Sequence, residues 1–151
     1  MPQSLSQIFV HIVFSTKNRL PYLEDRTILD ETHVFLASTC ERQRCASIAV
    51  GGVTDHAHIL CTLHRTVAIA DLVKELKRET SIWLKKRSRD LRSFYWQEGY
   101  GAFSVSTSQI ETVRTYIRNQ ERHHATRSFQ DEFRHLLDRH DIEYDERYVW
   151  D

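Results

Sequence analysis

The strongest constraint on the fold is the order in which apolar residues change their spacing along the chain. Gln7 to Thr16 (QIFVHIVFST) is a β-branched and aromatic run suited to a strand buried on both faces. The polar stretch KNRLPYLED breaks it. From Asp25 to about Arg44, the residues Ile28, Leu29, Phe35, Leu36, Thr39 and Cys40 recur at helical spacing and predict a helix. CASIAVGGVTDHAHILCTL then reads as a hairpin, two strands bracketing Gly51, Gly52 and a turn at Thr54 and Asp55. A long amphipathic helix follows, marked by Ile69, Leu72, Val73, Leu76, Thr80, Trp83 and Leu84, with Lys74, Lys77, Arg78 and Lys85 on its outer side. Phe94 to Ser106 (FYWQEGYGAFSVS) reads as a last strand weakened by Gly99 and Gly101. Ser108 and Glu111 have capping-box spacing and open a helix through Val113 and Ile117 to about His124. A final helix runs from Phe129 to about His140. The order β, α, β, β, α, β predicts an α+β, ferredoxin-like (split βαβ) domain: an antiparallel sheet with helices on one face, plus C-terminal helices.

At 151 residues the chain suits one core, so a single domain spanning 1–151 is expected. Apolar residues make up 40% and there are only 4 Gly and 2 Pro, which excludes collagen-like and largely disordered chains. No apolar run reaches the roughly 18 to 20 residues that cross a bilayer, and MPQSLSQ is not a secretory signal, so the expected compartment is the cytoplasm. Cys40, Cys45 and Cys61 form no CxxC pair and are expected to be buried or idle thiols. The 21 basic and 21 acidic residues balance, but unevenly. Arg65 to Arg92 holds nine basic residues against four acidic, whereas Glu121 to Asp151 holds five against nine. Such asymmetry permits a phosphate-binding surface, and equally a solvated helix face.

Within the strand beginning at His56, side chains alternate, so His56 and His58 share one face while Ala57, Ile59 and Cys61 take the other. Residues two apart on a strand lie roughly 6.5 to 7 Å apart, close enough for two imidazoles to lean onto one cation. Alternating polar residues on a half-exposed strand produce the same pattern. Tyr116 and Gln120 are four apart, on the helical side that also carries Val113 and Ile117. They are either ordinary amphipathic packing or a phenol beside a metal with Gln120 as a third, neutral oxygen ligand. The second reading requires this helix to cross the histidine face.

These segments, together and in order, resemble the HUH single-tyrosine transposases of the smallest bacterial insertion sequences, the two-hundred group that moves as single-stranded DNA. The resemblance covers nearly the whole chain: VHIVFSTKNR, the signature DHAHIL at Asp55 to Leu60, LVKELKRETSIWLKK, WQEGYGAFSVS, YIRNQERHH at Tyr116 to His124, and SFQDEFRHLLDRHDIEYDERYVWD. The family motif is His, hydrophobic, His, and here the middle residue is the small Ala57. Carried over position by position, the resemblance implies metal binding by His56, His58 and Gln120, and nucleophilic attack by Tyr116. It implies Mg2+ or Mn2+, although imidazole ligands alone would argue for a transition ion. It further implies single-stranded DNA with imperfect hairpins as substrate, no nucleotide cofactor, no membrane, and a homodimer in which one subunit's tyrosine helix can complete the other's histidine pair.

Lys17, Arg19, Lys74, Lys77, Arg78 and Lys85 are the candidates for holding phosphates. Tyr95, Trp96, Tyr100 and Phe103 either stack on bases or pack in the core. His11, His33, His64, His123, His124, His135 and His140 have no spacing that demands a role and are expected to be structural or solvated. Two rival functions stay open at this point: a domesticated, non-catalytic hairpin-binding domain, and a hydrolase of small phosphodiesters that uses the two histidines as acid and base.

Overall fold

β1 (Phe9–Ser15) lies inside the sheet and is apolar on both sides because both sides are covered. A computed structural model describes residues 2–151. Its four strands, β1, β2 (Ser47–Val53), β3 (His56–Thr62) and β4 (Gly101–Val105), form one sheet in the order β2-β3-β1-β4, with every neighbour antiparallel. This is the split-βαβ order that the alternation of periods predicts.

Two helices cover one face, α1 (Arg26–Arg42) and α2 (Ile69–Arg87). The Asp25 carboxylate accepts from the Ile28 N–H at 3.1 Å and caps α1. Ile28, Leu29, Leu36 and Cys40 of α1 and Leu72, Val73, Leu76 and Leu84 of α2 meet Val10, Ile12, Phe14, Ala57, Ile59 and Cys61 of the sheet. Each such aliphatic side chain, fully buried, contributes roughly 1.5 to 3 kcal/mol. Cys40, Cys45 and Cys61 are all free and buried in this layer. A hydrogen bond to Cys40 and burial push the Cys61 thiol far above its ordinary range.

The other face carries His11, Val13, His56 and His58, and the C-terminal helices close over it. They are α3 (Ile110–Arg118), the short α4 (Gln120–His124) and α5 (Phe129–Arg139). A second core of Val13, Phe103, Phe129, Phe133, Leu136 and Leu137 joins α5 to the sheet, with Tyr144, Val149 and Trp150 of the tail against it. Two glycines permit the close approach. A Cβ at Gly51 would stand 2.5 Å from the Ile117 carbonyl oxygen of α3, and one at Gly101 would stand 2.6 Å from Cε1 of Phe133 in α5.

Three local expectations are corrected. Phe94 to Trp96 does not belong to β4; apart from an isolated bridge between Thr16 and Trp96, this stretch is coil that puts Phe94 and Trp96 into the core. Ser108 caps nothing, because Thr107–Gln109 is a 3-10 turn and α3 starts at Ile110 without a side-chain cap; the Ser108 hydroxyl pairs with that of Ser106 at 3.1 Å. The helix expected to run on to His124 is broken at Asn119, whose φ of −98° and ψ of 22° separate α3 from α4.

Candidate metal and nucleophile site

β3 places His56 and His58 on the face under the C-terminal helices, where both are fully buried. Their ring centroids are 5.2 Å apart. The far nitrogen of each ring is held. His56 Nδ1 lies 2.7 Å from an Asp55 carboxylate oxygen, and His58 Nδ1 lies 2.8 Å from His11 Nε2. This fixes the rings so that both Nε2 atoms point into one small space, as partners behind a metal-binding imidazole do.

The helical elements supply the rest. Tyr116, on the last turn of α3, has its ring centroid 5.7 Å from that of His58 and stacks on His123 at 4.7 Å. The break at Asn119 turns Gln120 inward, so that its Oε1 sits 2.9 Å from His56 Nε2. The four residues expected to act together therefore converge, and they do so within one chain.

At the centre of this group stands Glu132 of α5, 1% exposed. Its Oε1 lies 2.9 Å from His58 Nε2, 3.1 Å from His124 Nε2 and 3.4 Å from His56 Nε2. Its Oε2 accepts from the Tyr116 hydroxyl and, at 3.2 Å, from the Gln120 amide. The sequence reading did not single out Glu132, and it took His11 and His124 as structural or solvated. A signal existed: Glu132 lies on the apolar stripe of α5 with Phe129, Phe133 and Leu136, and a carboxylate on a buried stripe needs partners.

The charges follow. Burial opposes protonation of His56, but the hydrogen bonds to Asp55 and Glu132 outweigh it and raise its pKa to about 9. His58 falls below the ordinary imidazole range, chiefly through burial. Burial opposes ionisation of Glu132, yet the imidazoles of His124, His56 and His58 around it outweigh burial and hold the carboxyl far below its usual range. Burial, and then the Glu132 charge, push the Tyr116 phenol well above 10, so it is protonated at rest. The donor atoms of His56, His58, His124 and Glu132 all lie within 4.8 Å of one another, a set that fits a divalent cation.

A groove of about 430 Å³ opens beside Tyr116. Arg127, His135, Arg139 and His140 line it together with the apolar side chains of Phe103 and Leu136, and among the described residues no carboxylate does.

The expected phosphate-binding residues divide. Lys77 donates to the carbonyls of Gln97, Glu98 and Gly99 at 2.8, 3.0 and 2.7 Å, which uses all three of its N–H groups, and burial lowers its pKa to about 8. Arg19 donates to the Trp150 carbonyl at 2.6 Å, and Arg78 pairs with Glu75 and Glu79 at 2.9 and 2.6 Å. Lys17 and Lys85 stand 5.9 and 4.1 Å from the centre of the Tyr95 ring, and Lys74 lines the adjoining groove with Tyr95 and Tyr100. Tyr95 and Tyr100 are 56% and 39% exposed, whereas Trp96 and Phe103 are buried.

A family model described as Transposase IS200 like matches residues 4–120. The match spans most of the chain, and the protein belongs to this transposase family. Two solved structures share the fold. One is the crystal structure of a candidate transposase from Deinococcus radiodurans R1, with a TM-score of 0.61 and 19% identity over 80% of this chain and 95% of that one. The other is the REP-associated tyrosine transposase bound to a REP hairpin, with a TM-score of 0.58 and 13% identity over 82% of this chain and 72% of that one. None of the curated proteins matches.

Proposed function

We propose that this transposase cuts and rejoins single-stranded DNA at hairpin-bearing element ends through a 5′-phosphotyrosine on Tyr116. The observation that carries the reading is the convergence of one phenol, two imidazoles and Gln120 in one buried space beside a cationic groove. Rejoining a strand without ATP requires the broken phosphoester to be stored, and a phenol stores it well because it leaves more readily than an alkoxide. His56, His58 and Gln120 would hold Mg2+ or Mn2+, which, when bound, polarises the scissile phosphate.

The chain's own residues do the rest. Asp55 and His11 orient the imidazoles. Glu132 holds the Tyr116 hydroxyl in place. Arg127 and Arg139 neutralise the phosphates of the strand that lies in the groove, where no carboxylate repels it. Lys17, Lys74 and Lys85 around the exposed Tyr95 suit the backbone and unpaired bases of a hairpin, a partner also seen with the REP-associated relative. One subunit carries both nucleophile and imidazoles, so a homodimer would serve to hold two DNA ends. The cytoplasm is the proposed compartment.

A domesticated hairpin-binding protein is the second reading, favoured by the protonated phenol tied to Glu132. One assay separates the two. Incubated with Mn2+ and end-labelled hairpin DNA, the wild type yields a denaturation-resistant adduct on Tyr116. Tyr116→Phe yields none, while its hairpin affinity stays within about twofold. Cleavage by Tyr116→Phe at the wild-type rate would falsify the assignment of the nucleophile, and gel shifts without any wild-type adduct would establish the binding protein.

A further inference from the structure

We propose that Glu132 is itself a ligand of the metal, one carboxylate oxygen holding the ion while the other holds the hydroxyl of Tyr116. The inference rests on the metal site proposed above and deepens it. Glu132 and His124 both lie beyond residues 4–120, so neither belongs to the pattern the family model matches.

Three observations carry it. First, the distances suit an ion. Imidazole nitrogens and carboxylate oxygens bind divalent zinc-like ions at about 2.0 to 2.2 Å, which puts neighbouring donors roughly 3 to 3.5 Å apart on a tetrahedral or octahedral edge. The separations from Glu132 Oε1 to the Nε2 atoms of His58, His124 and His56 are 2.9, 3.1 and 3.4 Å. Second, hydrogen bonding leaves one of the three rings over: His58 Nε2 pairs with Glu132 Oε1 and His56 Nε2 with Gln120 Oε1. His124 Nε2 is buried without a hydrogen-bond partner, although it lies 3.1 Å from this same Glu132 oxygen and its side chain is 9% exposed. A cation shared by the four groups accounts for the orphaned nitrogen. Third, the two carboxylate oxygens face different neighbours. Oε1 meets the imidazoles, and Oε2 meets Tyr116 and Gln120. A buried carboxylate on α5 is costly unless it is paired with positive charge, which a dication shared with the imidazoles supplies.

The chemical result is a site with one anionic ligand in place of a wholly neutral set. Metal occupancy and nucleophile position then share one side chain, so binding of the ion orders Tyr116 toward it.

Calorimetric titration of the metal-free full-length protein with MnCl2 tests this in wild type, Glu132→Gln and His58→Ala, with thermal melting as the fold control. The amide is the same size and still accepts from Tyr116. Glu132→Gln is expected to weaken Mn2+ binding more than about 100-fold, beyond the roughly 10- to 100-fold seen for groups that only orient a ligand. His58→Ala is expected to abolish it. A smaller loss in Glu132→Gln, with binding gone in His58→Ala, overturns the Glu132 assignment and leaves the histidine site standing. Unchanged binding in His58→Ala, or none in wild type, overturns the metal site and this inference with it. Should Glu132→Gln fail to fold, anomalous scattering from Mn2+-soaked wild-type crystals decides: a peak bonded to Glu132 Oε1 supports the proposal, and a peak on His56 and His58 with Glu132 turned away defeats it.

Discussion

His33 in α1 keeps its Nε2 buried and without a hydrogen-bond partner, and burial lowers its pKa to about 4. Unfolded, the same imidazole titrates near 6.5, so the native state binds fewer protons than the unfolded chain between those values. The resulting stability is fully present above about pH 6.5 and is lost as pH falls toward 4. Urea unfolding should show His33→Gln narrowing the stability gap between pH 7 and pH 5 by about 2 kcal/mol relative to wild type. An equal gap in both proteins would refute the assignment. Other side chains differ in how openly they declared themselves. His56 and His58 were legible because the strand period of two puts both on one face. Glu132 was not, since its partners lie 74 and 76 residues earlier and meet it only after α5 folds back over the sheet. Tyr95 and Trp96, adjacent in sequence, part company, one to solvent and one to the core. Composition gives no means of separating them.

At the scale of elements, the site depends on how closely α3 lies on β2. Gly51 makes that approach possible, and a methyl group there would press on the Ile117 backbone, one residue from Tyr116. Gly51→Ala is expected to cost about 1 to 3 kcal/mol, the usual penalty of overpacking. It should also cut adduct formation at least tenfold by displacing the phenol. Denaturant melts and a single-turnover cleavage assay measure the two effects, and a variant with wild-type values in both would disprove the packing argument. The strands, α1 and α2 were legible because their apolar periods are long and uninterrupted. The breaks were not. Asn119 stops a helix where no glycine or proline announces it, and the apparent capping box at Ser108 loses to a 3-10 turn. The first of these matters most, because the new direction taken by α4 is what brings Gln120 to His56.

Across the whole molecule, the sheet divides the labour. The imidazoles and Tyr116 lie under the C-terminal helices, while α2 with Lys74 and Lys85 lies on the opposite face. If that second surface grips the phosphates of a hairpin, Lys74→Ala/Lys85→Ala should weaken binding evenly across hairpin sequences. The slope of log affinity against log salt should drop by about 2, read by fluorescence anisotropy between about 50 and 200 mM salt. An unchanged slope would remove these lysines from the interface. Regional charge counts pointed to this basic helix, yet the groove beside Tyr116 takes Arg127 and Arg139 from the acidic C-terminal segment. Arg134 of α5 points elsewhere and pairs with Asp131 and Glu146. A count over a segment averages such opposite faces. One feature of the core has a practical use: because Cys40, Cys45 and Cys61 are all buried in the layer between the sheet and its helices, thiol-directed dyes meet no exposed native thiol. A cysteine at the exposed Val34 would carry a fluorophore alone, which opens single-molecule observation of strand capture without first stripping the protein of its own sulfur.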